Sequence, residues 1–305
     1  MEADGVLIID KPAGLTSHDV VAKVRRLLRI KKVGHFGTLD PFATGVLPLS
    51  LGRATRFAQF YLKSRKAYEG AFRFGFSTNT YDATGERTSE PVAHRPDRAS
   101  LEKALGEFTG RIQQVPPPFS AKRVAGVRAY ELARQHQEVT LAPAEVEIYA
   151  LELLGFDGDV ARFAVECSGG TYVRSLACDI GKRLECPAHL AQLRRTAVAE
   201  FRESRSVTLD KLKDAAEAGK VAELIVPLEG LLPDCPELVV RGREEKCVRY
   251  GRAFELAQIF NPQRGMRPGR SPAMAILKVL DANRRLIAVA RHVSGSVYHP
   301  DLVLG

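Results

Sequence analysis

Residues 34–45 read Gly-His-Phe-Gly-Thr-Leu-Asp-Pro-Phe-Ala-Thr-Gly and place one carboxylate, Asp40, in a turn-rich segment. Pro41 follows the aspartate and pushes it out of the α region, toward an extended or turn conformation. The three glycines permit backbone shapes and close approaches that other residues resist. A carboxylate on such a loop suits a nucleophile or a general base. An Asx-type turn is the commoner reason for an aspartate between glycine and proline, so the rest of the chain must decide.

Composition and charge point to a globular protein that attracts polyanions. The chain has 305 residues, enough for two domains, with 45% hydrophobic and 27% charged residues. Its formal net charge is +9, and residues 1–66 hold twelve Lys/Arg against five Asp/Glu, a local excess of seven. A basic face of this kind attracts nucleic acid or an anionic membrane surface, although a merely solvated surface has the same composition.

Cysteine usage and hydropathy indicate a reduced, cytoplasmic setting. An odd number of cysteines without a paired framework predicts free thiols at Cys167, Cys178, Cys186, Cys235 and Cys247. The spacing of Cys178, Cys186 and His189 matches no zinc pattern, which favours buried cysteine over a metal site. The first residues lack the basic start of a signal peptide, and no apolar stretch reaches the ~18–20 residues that span a bilayer.

The hydrophobic pattern predicts a mixed α and β chain. A capping box at Thr16–Asp19 opens an amphipathic helix whose exposed side is strongly basic. Strands are predicted at 5–10, 68–76 and 163–167, a polar loop at 79–91, and helices at 101–108 and from about 174 to 184.

Residues 111–136 form an unusual segment. The prolines at 116–118 exclude a helix interior or a central strand. A short helix follows, around Tyr130–Arg134. A proline-stiffened loop followed by basic residues could clamp a ligand or serve as a plain crossover, and the pattern alone favours neither.

A second candidate site lies where the strand at 163–167 runs into Gly169-Gly170 and then a helix. Backbone amides at such a junction face a ligand. Arg174 in the first helical turn opposes the helix dipole, so an anionic group is expected beside it, and Asp40 is the natural candidate.

The last seventy residues differ from the rest. Short β-like runs at 238–240, 275–280, 286–290 and 296–303 alternate with Gly, Pro and Asn turns. Together with the linker at 231–236, they predict a small β-rich C-terminal domain.

Several motifs in a fixed order carry a resemblance to a known family. They are Lys11–Ser17, Gly34–Gly45, Lys66–Tyr68, Gly170–Arg174, Leu193–Arg195 and the segment from Pro117 through Gly126 to Arg134. In this combination the chain resembles the TruB family of tRNA pseudouridine synthases, bacterial type, over essentially its whole length. The resemblance implies an α+β fold: a catalytic domain at 1–232 with a central, mostly antiparallel sheet and an RNA-gripping thumb at about 111–136, and a PUA-like RNA-binding domain at 236–305.

The resemblance also implies roles for seven residues. Asp40 would be the catalytic group and Arg174 its partner, while Tyr68 would pack against the uracil. Tyr172 and Leu193 would line the pocket, His35 would sit near the space that the flipped base vacates, and Lys11 would support the strand-to-helix turn.

The reaction implied is the isomerisation of uridine to pseudouridine in the tRNA T-loop, at position 55, after base flipping. It needs no redox step, and we expect no cofactor and no metal. We expect the T-arm stem-loop as the RNA partner, a monomer with no obligate protein partner, no membrane association and a cytoplasmic location. The alternatives are a noncatalytic tRNA-binding or folding factor on the same fold, a nucleoside hydrolase and a guide-RNA-dependent relative. Phe36, Phe42, Phe119 and Arg123 depart from the family pattern, which predicts altered packing beside Asp40 and an altered phosphate contact.

Overall fold

The structure is a computed structural model, and it describes residues 4–120, 122–124, 126–135, 137, 140–255 and 276–304. In chain order the strands are β1 (Gly5–Lys11), β2 (Val33–His35), β3 (Thr44–Leu51), β4 (Lys66–Phe74), β5 (Gly110–Gln114), β6 (Arg123–Val124), β7 (Val127–Arg128), β8 (Ala144–Asp157), β9 (Val160–Cys167), β10 (Ala188–Val198), β11 (Phe201–Arg202), β12 (Ile225–Val226), β13 (Glu237–Val239), β14 (Phe254–Glu255), β15 (Ile276–Leu280), β16 (Leu286–Ser294) and β17 (Val297–Val303). The α-helices are α1 (Ser17–Leu28), α2 (Ala58–Tyr61), α3 (Arg98–Glu107), α4 (Ala129–Arg134), α5 (Val173–Arg183), α6 (Leu209–Glu217) and α7 (Gly242–Arg249).

The larger of the two main sheets has the strand order β12-β1-β3-β10-β4-β9-β8-β5, with β2 beside β3 and β11 beside β10. Its strand pairs are antiparallel except β3 with β10, which run parallel with Arg195 opposite Gly45. The predicted mixed fold with a mostly antiparallel sheet is therefore confirmed. The parallel pair sets the start of β3, just after Asp40, against the middle of β10.

The continuous apolar run in β1 is explained by burial on both faces. Side chains alternate across a strand. Leu7 and Ile9 therefore join one core, and Val6 and Ile8 join another. The first core lies between the sheet and the apolar faces of α1, α3, α5 and α6.

Helix α1 forms as its sequence predicts. Its N-cap is Thr16, and the side chains of Thr16 and Asp19 each accept a hydrogen bond from the other residue's backbone N–H. Both halves of the predicted capping box are thus present. Val20, Val21, Val24 and Leu28 are buried, while the basic residues between them face solvent.

A second sheet, of order β13-β15-β16-β17-β14, lies in the C-terminal part of the chain. Leu280, Leu286, Val289 and Leu302 from this part share the second core with β1 and β3 of the first sheet. The predicted strands of this region are present with ends shifted by one to four residues, although Ala275 lies outside the described residues.

The remaining element predictions are confirmed with small shifts, but β8 and β10 are not among the predicted strands. β8 carries glutamates at 145, 147 and 152 and buries few of its side chains, so its hydrophobic alternation is weak. β10 contains two adjacent arginines and pairs with β4 through two irregularities in register. Both strands are held by their neighbours in the sheet more than by a local pattern.

Candidate active site

Asp40 lies in the turn between β2 and β3, and Arg174 contacts both of its carboxylate oxygens. The arginine Nε donates to Oδ2 at 2.8 Å and Nη2 donates to Oδ1 at 3.2 Å. The Arg174 side chain is 6% exposed, whereas that of Asp40 is 32% exposed. The predicted pairing is therefore present, and the carboxylate keeps an accessible side while its orientation is fixed by two hydrogen bonds.

Arg174 is itself held by two other segments, the loop at 80–82 and the proline-rich segment. Its Nη1 donates to the carbonyl of Thr80 and its Nη2 to the carbonyl of Phe119, both at 3.1 Å. Asp82 Oδ2 lies 3.8 Å from Nε. This second carboxylate is buried and accepts hydrogen bonds from Thr80 and Thr84 through Oδ1.

Asp82 was missed by the sequence reasoning. Its only local signal is an aspartate two residues before a threonine in a polar loop, which is typical of an Asx turn. That turn is present, because the Thr84 N–H donates to Asp82. The contact with Arg174 comes from a segment about ninety residues away, and no local pattern encodes it.

The backbone around Asp40 is fastened by Ser17 and Lys11. The Leu39 N–H donates to Ser17 Oγ at 2.8 Å, and the same hydroxyl donates to the Leu39 carbonyl at 3.2 Å. Lys11 Nζ donates to the carbonyls of Pro12, Leu15 and Pro41. Burial lowers the pKa of Lys11 to about 8, although the charge of Asp40 acts in the opposite direction. Lys11 thus joins the end of β1 to the residue directly after Asp40.

Two tyrosines lie within electrostatic reach of Asp40. Tyr68 on β4 is buried, and burial raises its pKa to about 12. Tyr172 is the N-cap of α5, and burial raises its pKa as well. The Asp40 charge contributes to both shifts. Both phenols therefore stay protonated and uncharged at neutral pH, and their predicted roles toward the uracil stay predictions.

The last two predicted site residues, His35 and Leu193, lie on β2 and β10. His35 ends β2, and its Nδ1 accepts a hydrogen bond from the Gly37 N–H at 3.3 Å. Burial, together with the positive charges of His18 and Arg195, lowers the pKa of His35, so the ring is neutral at pH 7. Leu193 is a buried residue of the first core, opposite Gly70 of β4. Their predicted roles toward the RNA stay predictions.

The proline-rich segment after β5 forms one side of the site. Gln114 bonds both the N–H and the carbonyl of Tyr172, and Ser175 Oγ donates to the Val115 carbonyl at 2.7 Å. Beyond it, β6 and β7 form a two-residue hairpin around Gly126, whose φ is +88°, and α4 follows. Ala121, Ala125 and His136 of this segment lie outside the described residues, as does the side chain of Arg123.

Two of the three phenylalanines that depart from the family pattern, Phe36 and Phe42, lie close to Asp40 in the sequence, and both are accommodated. Phe36 is fully buried and stacks on Tyr61, with ring centroids 4.4 Å apart and ring planes 14° apart. Phe42 is half-buried and packs against the first core. Phe36 thus provides an aromatic contact below the segment that carries Asp40. The predicted difference in packing from other family members stays a prediction.

The cysteines are free thiols, as predicted. Cys186 Sγ donates to the His94 carbonyl, and His189 Nδ1 is hydrogen-bonded to the Phe76 carbonyl. Within the described ranges no group of three or more Cys, His, Asp or Glu is arranged to hold a metal ion. In the same part of the chain, no helix has both the length and the hydropathy to cross a membrane.

Comparison with known proteins identifies relatives along the whole chain. The model of "TruB family pseudouridylate synthase (N terminal domain)" matches residues 25–173, and that of "tRNA pseudouridylate synthase B C-terminal domain" matches residues 174–233. The tRNA pseudouridine synthase B of Solibacter usitatus is 48% identical over 301 residues, which cover 99% of this chain and all of that protein. The protein of the same name from Bacillus subtilis is 42% identical and covers 85% of both chains.

Solved structures agree with the fold. A structure described as a Cbf5-Nop10-Gar1 complex contains a chain that superposes with a TM-score of 0.73 and 28% identity, covering 96% of this chain and 79% of that one. An archaeal box H/ACA sRNP Nop10-Cbf5 complex gives a TM-score of 0.72 and 26% identity, covering 99% and 86%.

Proposed function

The chain belongs to the TruB family of pseudouridylate synthases, and we propose that it isomerises uridine to pseudouridine in the T-loop of tRNA, at position 55, with Asp40 as the catalytic group. The observation that carries the assignment of Asp40 is its bidentate pairing with the buried Arg174, which leaves one side of the carboxylate accessible. The close relatives are named for this reaction on tRNA.

The reaction conserves all atoms of the nucleotide. The C1′–N1 bond breaks, the uracil turns, C1′ joins C5, the hydrogen on C5 is lost and N1 gains one. Asp40 acts as a nucleophile or as a base on the sugar, and every such route needs a carboxylate with an open side. The fixed orientation of Asp40 limits the motion lost when the substrate arrives, which favours the chemical step.

The other predicted site residues are assigned to holding the uracil, the backbone beside Asp40 and the RNA loop. The buried ring of Tyr68 and the half-buried ring of Tyr172 support stacking and enclosure of the detached uracil, and the buried Leu193 is assigned to the apolar wall of the pocket. Lys11 holds the backbone at Pro41. His35 occupies the gap in the RNA loop after the target base has been extruded, at a cost of a few kcal/mol of unstacking.

RNA binding is assigned to three parts of the chain. The exposed basic side of α1 attracts the phosphates of the T-arm. The thumb at about 111–136 closes over the loop, and the second sheet forms a PUA-like RNA-binding domain at 236–305, separate from a catalytic domain at 1–232. We assign the protein to the cytoplasm as a monomer that acts on tRNA without an obligate protein partner.

The test compares Asp40→Asn with the matched surface control Asp159→Asn. Asp159 pairs with Arg73 at an exposed site. The substrate is an isolated T-arm hairpin, without ATP, metal or guide RNA, and pseudouridine is mapped by mass spectrometry. We expect Asp40→Asn to form no product and to bind the hairpin within a few-fold of wild type, because affinity comes from the basic surface. Residual turnover within tenfold of wild type would remove Asp40 from the mechanism. A wild-type protein that binds but forms no pseudouridine would point to a noncatalytic binding factor.

A further inference from the structure

We propose that Arg195 is a positioning residue that closes the Asp40-bearing segment 37–46 at both ends. This inference rests on the proposed function and adds a residue to its machinery. Arg195 lies on β10, contacts no solvent, and is among the largest fully buried side chains of the described residues.

The side chain of Arg195 donates hydrogen bonds to three backbone carbonyls of the segment. Nη2 donates to Gly37 at 3.1 Å and Nη1 to Thr38 at 3.2 Å, while Nε donates to Val46 at 2.8 Å. The first two carbonyls precede Asp40 and the third follows it. One rigid, planar guanidinium therefore fixes the distance between the two ends of the loop.

The backbone of Arg195 holds the same segment from the other side. Arg195 pairs with Gly45 in the parallel register between β10 and β3. Gly45 has a φ of +98°, and a Cβ there would lie 2.3 Å from the Arg195 carbonyl oxygen. At this position, glycine is thus required by the close approach of β10.

Gly37, at the start of the segment, is favoured for a different reason. Its φ is +139°, a backbone conformation that other residues rarely adopt, and a Cβ there would lie 3.2 Å from Lys66 Cε and in ordinary contact, at 3.6 Å, with Arg195 Nη1. The Gly37 carbonyl that accepts from Arg195 therefore belongs to a backbone shape that glycine adopts readily.

The same guanidinium reaches Tyr68. The two residues are cross-strand partners in the pairing of β10 with β4. The positive charge of Arg195 counteracts the rise in the pKa of Tyr68 that burial causes, although burial is the larger effect. Arg195 thus lies beside Tyr68 as well as beneath the Asp40-bearing segment.

The charge of Arg195 is difficult to explain as a purely stabilising feature. Within the described ranges no carboxylate lies at salt-bridge distance from it, and burial lowers its pKa. An unpaired buried charge costs several kcal/mol unless dipoles compensate, and an apolar side chain of similar volume avoids that cost. The dipoles that compensate the charge of Arg195 are the carbonyls that flank Asp40. We therefore infer that Arg195 serves to align that loop.

The test is a matched pair of charge-conserving variants, Arg195→Lys and Arg194→Lys. Arg194 is the preceding residue, is partly exposed, and pairs with Asp10 and Glu203. Lysine at 195 keeps the charge but cannot reach three carbonyls. At saturating tRNA we expect Arg195→Lys to lower the single-turnover rate about 100-fold, the loss that a misplacement of about 1 Å produces. Its tRNA affinity should stay within threefold of wild type. For Arg194→Lys we expect both quantities to stay within threefold.

A second variant tests the same link without touching the core. Gly37→Ala pushes a methyl group toward Lys66 and Arg195, and it should give the same split between rate and affinity. The double variant should lose little more rate than either single variant, because both break one connection. Rate losses that multiply, or a rate within threefold of wild type for folded Arg195→Lys, would overturn the proposal. If Arg195→Lys does not fold, a Gly37→Ala rate within threefold of wild type would overturn it. Absence of pseudouridine in the wild type would instead count against the proposed function.

Discussion

At the scale of single residues, the geometry of Arg174 is more specific than its charge. Its guanidinium contacts both Asp40 oxygens and two backbone carbonyls from separate segments. A lysine ammonium is a compact charge that cannot satisfy this planar set. Arg174 therefore fixes Asp40 and also joins the loop at 80–82 to the proline-rich segment.

The first prediction at this scale concerns Arg174→Lys. We expect the single-turnover rate to fall about 100-fold, because Asp40 loses its fixed orientation, while tRNA affinity changes little. The control is Arg183→Lys on the same helix. Arg183 also makes a bidentate contact, to Glu107 at 2.5 and 2.7 Å, but its side chain is 52% exposed. Equal effects of the two substitutions on the rate would show that the contact between Arg174 and Asp40 does not contribute to catalysis.

The second prediction concerns the buried Lys66. Burial lowers its pKa to about 8, below the ordinary value of 10.5. Between these pH values the unfolded chain keeps a proton that the folded chain has released, so the free energy of unfolding contributed by Lys66 rises with pH. Below pH 8 both states are protonated, and the full cost of the buried charge is present.

Urea unfolding of wild type and Lys66→Met at pH 8 and pH 9 checks this sign. We expect the difference between the two proteins to shift in favour of wild type by roughly 1 kcal/mol over that unit of pH. Comparison with the variant cancels the titration of Lys11, whose pKa is also about 8. A difference independent of pH would mean that Lys66 titrates at its ordinary value.

The site residues differ in whether a local sequence pattern identifies their role. Asp40 and Arg174 could be predicted because each lies in a local motif, and the unusual position of Arg174 in a first helical turn called for an anion. Asp82 lies in no motif, and the motif Leu193–Arg195 implies no role for Arg195, because the contacts of these two residues join residues 92 and 158 positions apart. Such contacts depend on the register of strands, which no local pattern encodes.

At the scale of elements, the segment after β5 has two parts. Its base, residues 114–119, is fixed, whereas the hairpin of β6 and β7 that follows is weakly held. Residues 114–119 bond the first turn of α5, whereas β6 and β7 pair over only two residues each. A hairpin this short is marginally stable by itself. The base is therefore part of the site, and the proposed thumb function assigns the closing contact with RNA to the hairpin.

Hydrogen exchange of residues 112–136 tests this division. We expect rapid exchange in the hairpin and α4 of the free protein, and marked slowing when tRNA is added, because closing elements come from the less stable parts of a structure. Exchange at the strongly paired β4 and β9 should be slow throughout and serves as the internal control. Slow exchange in the free hairpin, unchanged by tRNA, would identify a structural crossover instead of a thumb.

Elements with a strong local pattern could be predicted, and those defined by their neighbours could not. Helix α1 carries both a capping box and an apolar stripe, and β1 is a continuous apolar run. By contrast, β10 has Leu193 buried between polar neighbours and two irregularities in its pairing with β4. Its strand conformation follows from β3 and β4 on either side. β10 also carries Arg195, so the residue without a predicted role lies on a strand that the sequence pattern does not predict.

At the scale of the whole molecule, the two sheets share a core instead of being joined by a free linker. Tyr61 stacks on Phe36 below the Asp40 segment, and its hydroxyl donates to Glu200. The Leu232 N–H, at the junction between the sheets, donates to the Tyr61 hydroxyl at 2.9 Å and to Glu200 at 3.1 Å. Burial and the charge of Glu200 raise the pKa of Tyr61, so it remains a donor at every working pH. This network connects the catalytic segment to the start of the C-terminal region.

Tyr61→Phe keeps the stacked ring and removes only the hydroxyl. We expect the free energy of unfolding to fall by about 1–3 kcal/mol, because the half-buried carboxylate of Glu200 loses a donor and the Leu232 N–H loses one of two acceptors. Since Leu280, Leu286 and Val289 pack into the same core as Val6 and Ile8, calorimetry should show one cooperative transition in both proteins. Tyr149→Phe, at a half-exposed ring on β8, should change stability by less than about 0.5 kcal/mol. A separate early transition of the C-terminal sheet in the wild type, or an unchanged stability of Tyr61→Phe, would show that the two sheets fold independently and that this network does not couple them.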